Sequence, residues 1–191
     1  MLLPMMFVIL FALAFVFDSP KAIFEGYLNI LQSPSVLISD YLRIGGLGAT
    51  LFNVATIILF NVILLRKLNF KMTGPIFAGV FTIAGFSFFG KNIFNTLPIY
   101  LGIYLYARTQ KLEYKSFIIV VLFSTGISPL VSFLIFGTGW PLYYGIPAGI
   151  LAGVATGFVL PSFQLIRFVF TVVITYITLV LRWGFYRCWP R

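Results

Sequence analysis

The chain has 191 residues, of which 61% are hydrophobic and only 9% are charged. A soluble domain of this length could not remove so much apolar surface from water, so we predict an all-α integral membrane protein. Its single cysteine, Cys188, excludes an internal disulfide, and the absence of histidine from the sequence excludes His-based catalysis.

The net charge of +9 does not indicate a nucleic-acid partner. The basic residues lie in short gaps between apolar runs and form no stripe on one polar face, which is the distribution found in cytoplasmic loops. We therefore expect the lipid bilayer as a partner and no nucleic acid.

Three membrane-associated segments are predicted before the first basic gap. Residues 1–17 form an apolar run that is barely long enough to span a membrane. The competing interpretation is a signal peptide, which needs a basic start and a cleavage site that this run lacks. Residues 18–43 have apolar positions at helical spacing, broken by Pro34. They predict an interfacial or re-entrant amphipathic segment or, alternatively, a solvated loop with one helical turn. Residues 44–65 predict a spanning helix.

Four further apolar runs follow. Residues 73–89 and 94–107 are short and interrupted by glycine and proline, whereas residues 116–136 are long enough to span but are broken by "STGISP". After the aromatic turn "GTGWPLYYG", residues 145–160 form the last run. We predict about six transmembrane or re-entrant helices, followed by an anomalous apolar tail.

The basic gaps predict the orientation of the chain. Residues 66–71 and 108–115 are expected on the cytoplasmic side of the membrane, together with the N-terminus. The acidic segment and the turn at Trp140 then lie outside. Because both basic gaps face one side, residues 73–107 must either cross twice or form one re-entrant hairpin.

Lys91, Asn92 and Asn95 lie between two short apolar runs, in "FFGKNIFNTLP". If both runs span fully, Lys91 lies in a solvated outer turn and one of the asparagines caps the next helix. If the runs are a broken pair that meets inside the membrane, all three lie at depth, where a charge is costly and usually marks a pathway. In that second case we expect the three residues to bind a substrate.

A glycine recurs at every fourth position of "GIPAGILAGVATG": Gly145, Gly149, Gly153 and Gly157. On a helix these glycines share one face, and a face without side chains lets another helix approach closely. The pattern predicts helix packing, either within the chain or between the subunits of a homo-oligomer.

Motifs that would indicate catalysis are missing from the sequence. It contains no P-loop, paired-carboxylate site, metal-ligand spacing or nucleophile elbow. We therefore expect no enzyme activity, no cofactor and no metal site. Asn53 and Asn61 lie inside a predicted helix and are expected to form hydrogen bonds between helices.

Four stretches resemble DUF1576, a family of bacterial multi-pass membrane proteins of unknown function. They are "FDSPKAIFEGYLNILQSPSVLISDY", "GGLGATLFNV", "TGPIFAGVFTIAGFSFFGKNIFNTLPIYLG" and "GIPAGILAGVATGFVLPSF". The resemblance implies one membrane domain over residues 1–163, which would be the N-terminal half of a longer protein with a repeated domain. It implies no particular biochemical activity.

Residues 164–191 do not resemble the family, whose members continue with a pattern such as "LRFHxGYNLYNxGF". The codons allow this pattern when the tail is read from the third base of each codon. We therefore expect an out-of-frame tail, which makes the chain the front part of a larger protein. The alternative is a seventh helix, because residues 168–181 are apolar enough to enter a membrane.

These observations favour a small-solute transporter or channel, of which this chain would be a truncated half. The alternative is a non-transporting membrane scaffold or assembly protein that binds a partner, such as the missing C-terminal half, through its Gly-rich helix face. A transporter places Lys91 at membrane depth beside a cavity. A scaffold places Lys91 in bulk water and turns the Gly145 face outward.

Overall fold

A computed structural model describes residues 2–35 and 39–162 of the protein. In these residues the regular secondary structure is entirely helical, and they contain no strand. The predicted all-α class is therefore confirmed for this part of the chain. The expected out-of-frame tail, residues 164–191, lies outside the described residues.

Eight α-helices are formed by the described residues. They are α1 (Leu2–Phe17), α2 (Pro20–Gln32), α3 (Tyr41–Lys67), α4 (Gly74–Phe86), α5 (Ile93–Thr109), α6 (Ile118–Ser124), α7 (Pro129–Ser132) and α8 (Leu142–Val159). Tyr114–Phe117 and Thr125–Ile127 form 3-10 turns, and Phe133–Gly137 forms a π-helical turn.

Two of these helices are long and apolar enough to cross a membrane: α3, with 27 residues, and α8, with 18. Two bent pairs also qualify if each is counted as one span: Leu3–Phe17 with Pro20–Gln32, bent by 112°, and Tyr114–Ile127 with Pro129–Gly137, bent by 42°. The described residues thus offer two to four candidate spans. The prediction of a membrane protein is supported, and the prediction of about six transmembrane or re-entrant helices is not confirmed.

The first three helices meet where α1 ends. The chain bends sharply between α1 and α2. Ser19, which lies at this bend, caps α2 by accepting a hydrogen bond from the Ala22 amide. Gly46 interrupts α3 with a positive φ of 83°, a conformation that glycine adopts without strain. The carboxylate of Asp18 accepts a hydrogen bond from the Gly48 amide at 2.7 Å, and so caps the part of α3 that follows the interruption.

Helices α4 and α5 form a hairpin with a buried turn at residues 87–92. With 13 residues α4 is about 20 Å long, less than the hydrocarbon thickness of about 30 Å. Gly90 turns the chain with a φ of 137°. The side chain of Asn92 then begins α5 by accepting a hydrogen bond from the Asn95 amide at 2.9 Å.

The segment from α6 to the π-helical turn is a helix broken in its middle, as "STGISP" predicts. The chain tightens into the 3-10 turn at residues 125–127, and Pro129 begins α7 without an amide hydrogen to donate. Ser128 lies in this break, between the end of one helix and the start of the next.

Large apolar side chains cover the outside of the protein, whereas several polar ones are buried. Val16, Phe24, Tyr143 and Leu151 are each more than 60% exposed. The buried apolar core lies between α3, α4, α5 and α6 and includes Val54, Ile58, Val80, Ile83, Ile103 and Val121. This distribution suits a protein whose surroundings are as apolar as its core.

Candidate functional site

Lys91 and Asn92 lie in the turn that joins α4 to α5, and Asn95 lies in the first turn of α5. All three are buried: 1% of Lys91 is exposed, and neither asparagine is exposed at all. The turn therefore differs from the solvated loop that two complete spans would have produced.

The turn is fastened to the middle of α3 by one side chain. Asn53 donates its two amide hydrogens to the carbonyl oxygens of Ser87, at 2.8 Å, and Lys91, at 2.9 Å. Along α3, Asn53 is about 20 Å from Arg66 and about 8 Å from Gly48, at about 1.5 Å of rise per residue. The lysine backbone is thus level with the interior of the longest candidate span.

Asn92 connects the turn to the segment that precedes α3. Its side chain donates to the Tyr41 hydroxyl at 3.2 Å and to the Ile30 carbonyl at 3.4 Å. A backbone hydrogen bond of 2.8 Å joins the Ser39 amide to the Phe89 carbonyl. The end of α2 and the start of α3 therefore cover the α4–α5 turn on the side away from Arg66.

The ammonium group of Lys91 reaches the break between α6 and α7. It donates to the Thr125 hydroxyl at 2.5 Å, and that hydroxyl in turn donates to the Leu122 carbonyl at 2.9 Å. Thr125 is fully buried. The α4–α5 turn and the break between α6 and α7 thus meet at this contact.

Lys91 has no carboxylate partner among the described residues, which include all four acidic residues of the sequence. Glu25 pairs with Lys21, Glu113 pairs with Lys115, Asp40 accepts from the Arg43 amide and Asp18 accepts from the Gly48 amide. The amino group of Lys91 is therefore buried without an opposite charge beside it.

The negative end of one helix partly compensates a positive charge on Lys91. The ammonium group of Lys91 contacts Thr125, the residue that follows the C-terminus of α6. A cation at a helix C-terminus gains about 0.3–1 kcal/mol, or up to about 2 kcal/mol in buried geometries. Removing an ion from water costs several kcal/mol, so the compensation is incomplete.

A row of hydroxyl groups faces the turn across the interface. Thr125, Ser128 and Ser132 follow one another at spacings of three and four residues, which places them on one face of the broken helix. The first contacts Lys91, and the last accepts a hydrogen bond of 2.9 Å from the Asn95 side chain. Ser128 lies between these two contacts, and its buried hydroxyl has no hydrogen-bond partner.

Asn53 Oδ1 is a second buried polar atom without a partner. The nitrogen of this amide already donates both of its hydrogens, so the oxygen, which is an acceptor, is the atom left without a partner. Two orphaned polar atoms next to one buried lysine are unusual, since most buried polar groups are hydrogen-bonded.

The four glycines of α8 are buried against other parts of the chain. A Cβ atom on Gly145 or Gly149 would lie within 3 Å of Ile135, and one on Gly153 would lie 2.6 Å from Pro98. A Cβ atom on Gly157 would collide with the Ile99 carbonyl oxygen. The glycine face therefore packs within the molecule, against α5 and the segment from α7 to the π-helical turn.

Sequence reasoning missed four residues that complete the site: Tyr41, Thr125, Ser128 and Ser132. They come from segments distant in sequence and carry hydroxyl groups that are common in apolar helices. The only signal for three of them was the predicted helix break, where backbone groups need polar partners. Asn53 was predicted as a hydrogen-bond partner between segments, without its link to Lys91.

Two cavities lie elsewhere on the described surface. One, of about 490 Å³, runs along α5 and is lined by aromatic and apolar residues that include Tyr104 and Tyr114. The other, of about 330 Å³, lies near Arg66. Lys91 and Ser128 line neither cavity. The described residues contain no group of three His, Cys, Asp or Glu that could hold a metal ion.

Comparison with known proteins gives one finding. The family described as "Protein of unknown function (DUF1576)" matches residues 19–172, which is most of the chain and includes every residue of the site. No curated protein and no solved structure matches the chain.

Proposed function

We propose that this chain, which belongs to the DUF1576 family, is a component of a small-solute transporter or channel whose solute passes Lys91. The protein lies in the bacterial inner membrane with its N-terminus in the cytoplasm. Lys91, Asn92 and Asn95 belong to the binding site, together with Asn53, Thr125 and Ser128.

The single observation that carries this proposal is the buried lysine without a countercharge at the meeting point of two broken helices. Charged residues inside a membrane are costly and usually mark a substrate or ion pathway. Interrupted helices that meet in the membrane interior are the usual form of a transporter binding site. Neither feature is needed for helix packing alone.

The depth of the turn supports the same function. The basic gaps at residues 66–71 and 108–115 flank the hairpin on one side, which agrees with a hairpin that enters and leaves by the cytoplasmic face. Because α4 is too short to cross, the turn ends inside the membrane, at the level of Asn53. Irregular backbone at that depth is tolerated where protein or a water-filled path surrounds it.

The described conformation is closed around Lys91. Tyr41 and Ile30 cover the turn from one side, and the apolar core lies on the other side. Transport therefore requires a second conformation, in which water reaches the lysine. The scaffold alternative has less support, because the glycine face that it needs is already occupied by this chain's own helices.

Cysteine labelling tests for this second conformation. Cys188 is replaced by serine, and Lys91→Cys is treated with a membrane-impermeant thiol reagent in membrane vesicles. We expect slow but complete labelling, because opening of the site admits the reagent. Asn61→Cys is the matched control: Asn61 is fully buried in the same helix as Asn53, but its partner is Tyr100, and it should stay unlabelled.

Ser128→Cys provides an independent position that leaves the lysine in place. Labelling at both positions 91 and 128, but not at 61, supports a water path to the site. If both remain protected for as long as Asn61→Cys does, while the exposed control Lys111→Cys reacts, no path reaches the site and the transport proposal is wrong.

A further inference from the structure

We propose that Lys91 and Ser128 together bind one small monovalent anion, either a halide or a short carboxylate. This inference rests on the proposed transport function and specifies the class of solute. It concerns the point at which the α4–α5 turn faces the break between α6 and α7.

The 3-10 turn determines on which side of the broken helix the Ser128 hydroxyl lies. Ser128 follows Thr125 by three residues across a 3-10 turn, in which side chains three apart are eclipsed, and the Ser128 amide bonds to the Thr125 carbonyl at 3.1 Å. Its hydroxyl therefore lies on the face that Lys91 contacts. It is flanked by two completed contacts, Lys91 with Thr125 and Asn95 with Ser132, yet it has no partner itself.

The groups left unsatisfied at this point are hydrogen-bond donors. An ammonium group has three hydrogens to donate, and Lys91 donates one of them, to Thr125. The unpartnered hydroxyl of Ser128 is a further donor. A ligand that accepts from both groups satisfies the site, whereas one that only donates cannot. Asn53 Oδ1 is an acceptor and takes no part in holding an anion.

The charges around Lys91 favour an anion over a cation. All four carboxylates of the sequence are engaged elsewhere, so a bound metal cation would meet a positive site without an acidic ligand. A single negative charge neutralises Lys91 and removes the cost of burying it alone. Lys91 and Ser128 are both buried and line neither described cavity, so the described conformation leaves no room there for a large ligand.

Thermal unfolding of the detergent-purified full chain tests the proposal. The midpoint is measured in increasing sodium chloride and in increasing sodium acetate, with sodium gluconate keeping ionic strength and cation concentration constant. An anion that binds the folded state raises the midpoint in a saturable way. We expect chloride or acetate to do so, while gluconate, which is too large for the site, sets the baseline.

Three variants locate the effect. Lys91→Gln is expected to abolish the rise, and Ser128→Ala, which removes only an unpartnered hydroxyl, is expected to shift it to at least threefold higher anion concentration. Lys111→Gln removes the same charge from an exposed loop and should leave the rise unchanged. Comparison of the chloride and acetate series identifies which anion the site prefers.

Equal midpoints of the unaltered chain in chloride, acetate and gluconate would overturn the anion assignment, whatever the variants do. A rise that persists in Lys91→Gln would also overturn it, because the anion would then bind elsewhere. If a cysteine at position 91 is labelled but no anion raises the unfolding midpoint, the transport proposal stands and only the anion assignment is wrong. Failure of the anion assignment can therefore be distinguished from failure of the transport proposal.

Discussion

At the residue scale, opposing effects act on Lys91. The hydrogen bond from its ammonium group to Thr125 and the C-terminus of α6 favour the charged side chain, by about 1.5–3 kcal/mol for the hydrogen bond and about 0.3–1 kcal/mol for the helix end. Removal of the ammonium group from water opposes them by several kcal/mol. The gains, about 2–4 kcal/mol together, do not exceed this cost, so without an anion the lysine adds no net stability, which is common for residues kept for function.

Lys91→Met tests this balance. Methionine fills a similar volume without a charge, and Thr125 keeps its own hydrogen bond to Leu122. We expect the variant to be more stable by ~1–3 kcal/mol in gluconate buffer, seen as a rise in the unfolding midpoint. Lys111→Met, at an exposed position, should leave the midpoint unchanged. A midpoint of Lys91→Met below that of the unaltered chain would show that the lysine is a structural clamp.

How far the sequence predicted the site depends on where each residue lies. Lys91, Asn92 and Asn95 could be identified because a charge and two amides interrupt an apolar stretch. Ser128 could not, because its place opposite Lys91 depends on how α6 and α7 pack against α4 and α5. A hydroxyl in an apolar helix usually bonds to its own backbone, as Thr82 and Thr56 do, and so gives no sequence signal.

At the element scale, interruptions of helices place the site. The break between α6 and α7 was predictable from Gly126 and Pro129, and the shortness of α4 from the length of its apolar run. The interruption of α3 at Gly46 was not predicted, since "GGLGA" reads as the opening of one continuous helix. It depends on Asp18, a residue of another segment, whose carboxylate caps the new helix end.

The packing of α8 against α5 gives a prediction of its own. Gly157→Ala places a methyl group against the backbone carbonyl of Ile99, which cannot move aside as a flexible side chain can. We expect a loss of ~1–3 kcal/mol in the free energy of unfolding, measured by thermal or denaturant unfolding in detergent.

Gly85→Ala is the matched control for this prediction. It lies in α4 with no atom within 4 Å of the added methyl group, and it should gain up to about 1 kcal/mol from helix propensity. Similar stability changes in the two variants would contradict close packing of α8 on α5.

At the scale of the whole molecule, the protein turns apolar side chains outward and keeps polar ones inside. Helix α8 is apolar throughout its length, yet only 22% of its 18 residues are buried within the described chain. In water such a surface would associate. In a bilayer it is solvated, while buried groups such as Asn53 and Asn95 find partners within the protein.

The number of spans follows from the same balance, and the described residues offer two to four candidates, which does not confirm the prediction of about six transmembrane or re-entrant helices. The sequence left residues 73–107 open between two crossings and one re-entrant hairpin, and the described residues form a hairpin of short helices there, whereas residues 3–32 form a sharply bent pair. Run length alone does not distinguish a complete span from a hairpin, because both bury apolar residues.

The central claim is that α4 and α5 enter and leave the membrane by one face, with Lys91 at the inner end of their hairpin. Single cysteines at Lys71, Lys111 and Thr138, each in a Cys188→Ser background, are treated with an impermeant thiol reagent in intact cells and after permeabilisation. The account predicts labelling of position 138 in intact cells, and of positions 71 and 111 only after permeabilisation. Labelling of positions 71 and 111 from opposite sides would contradict it.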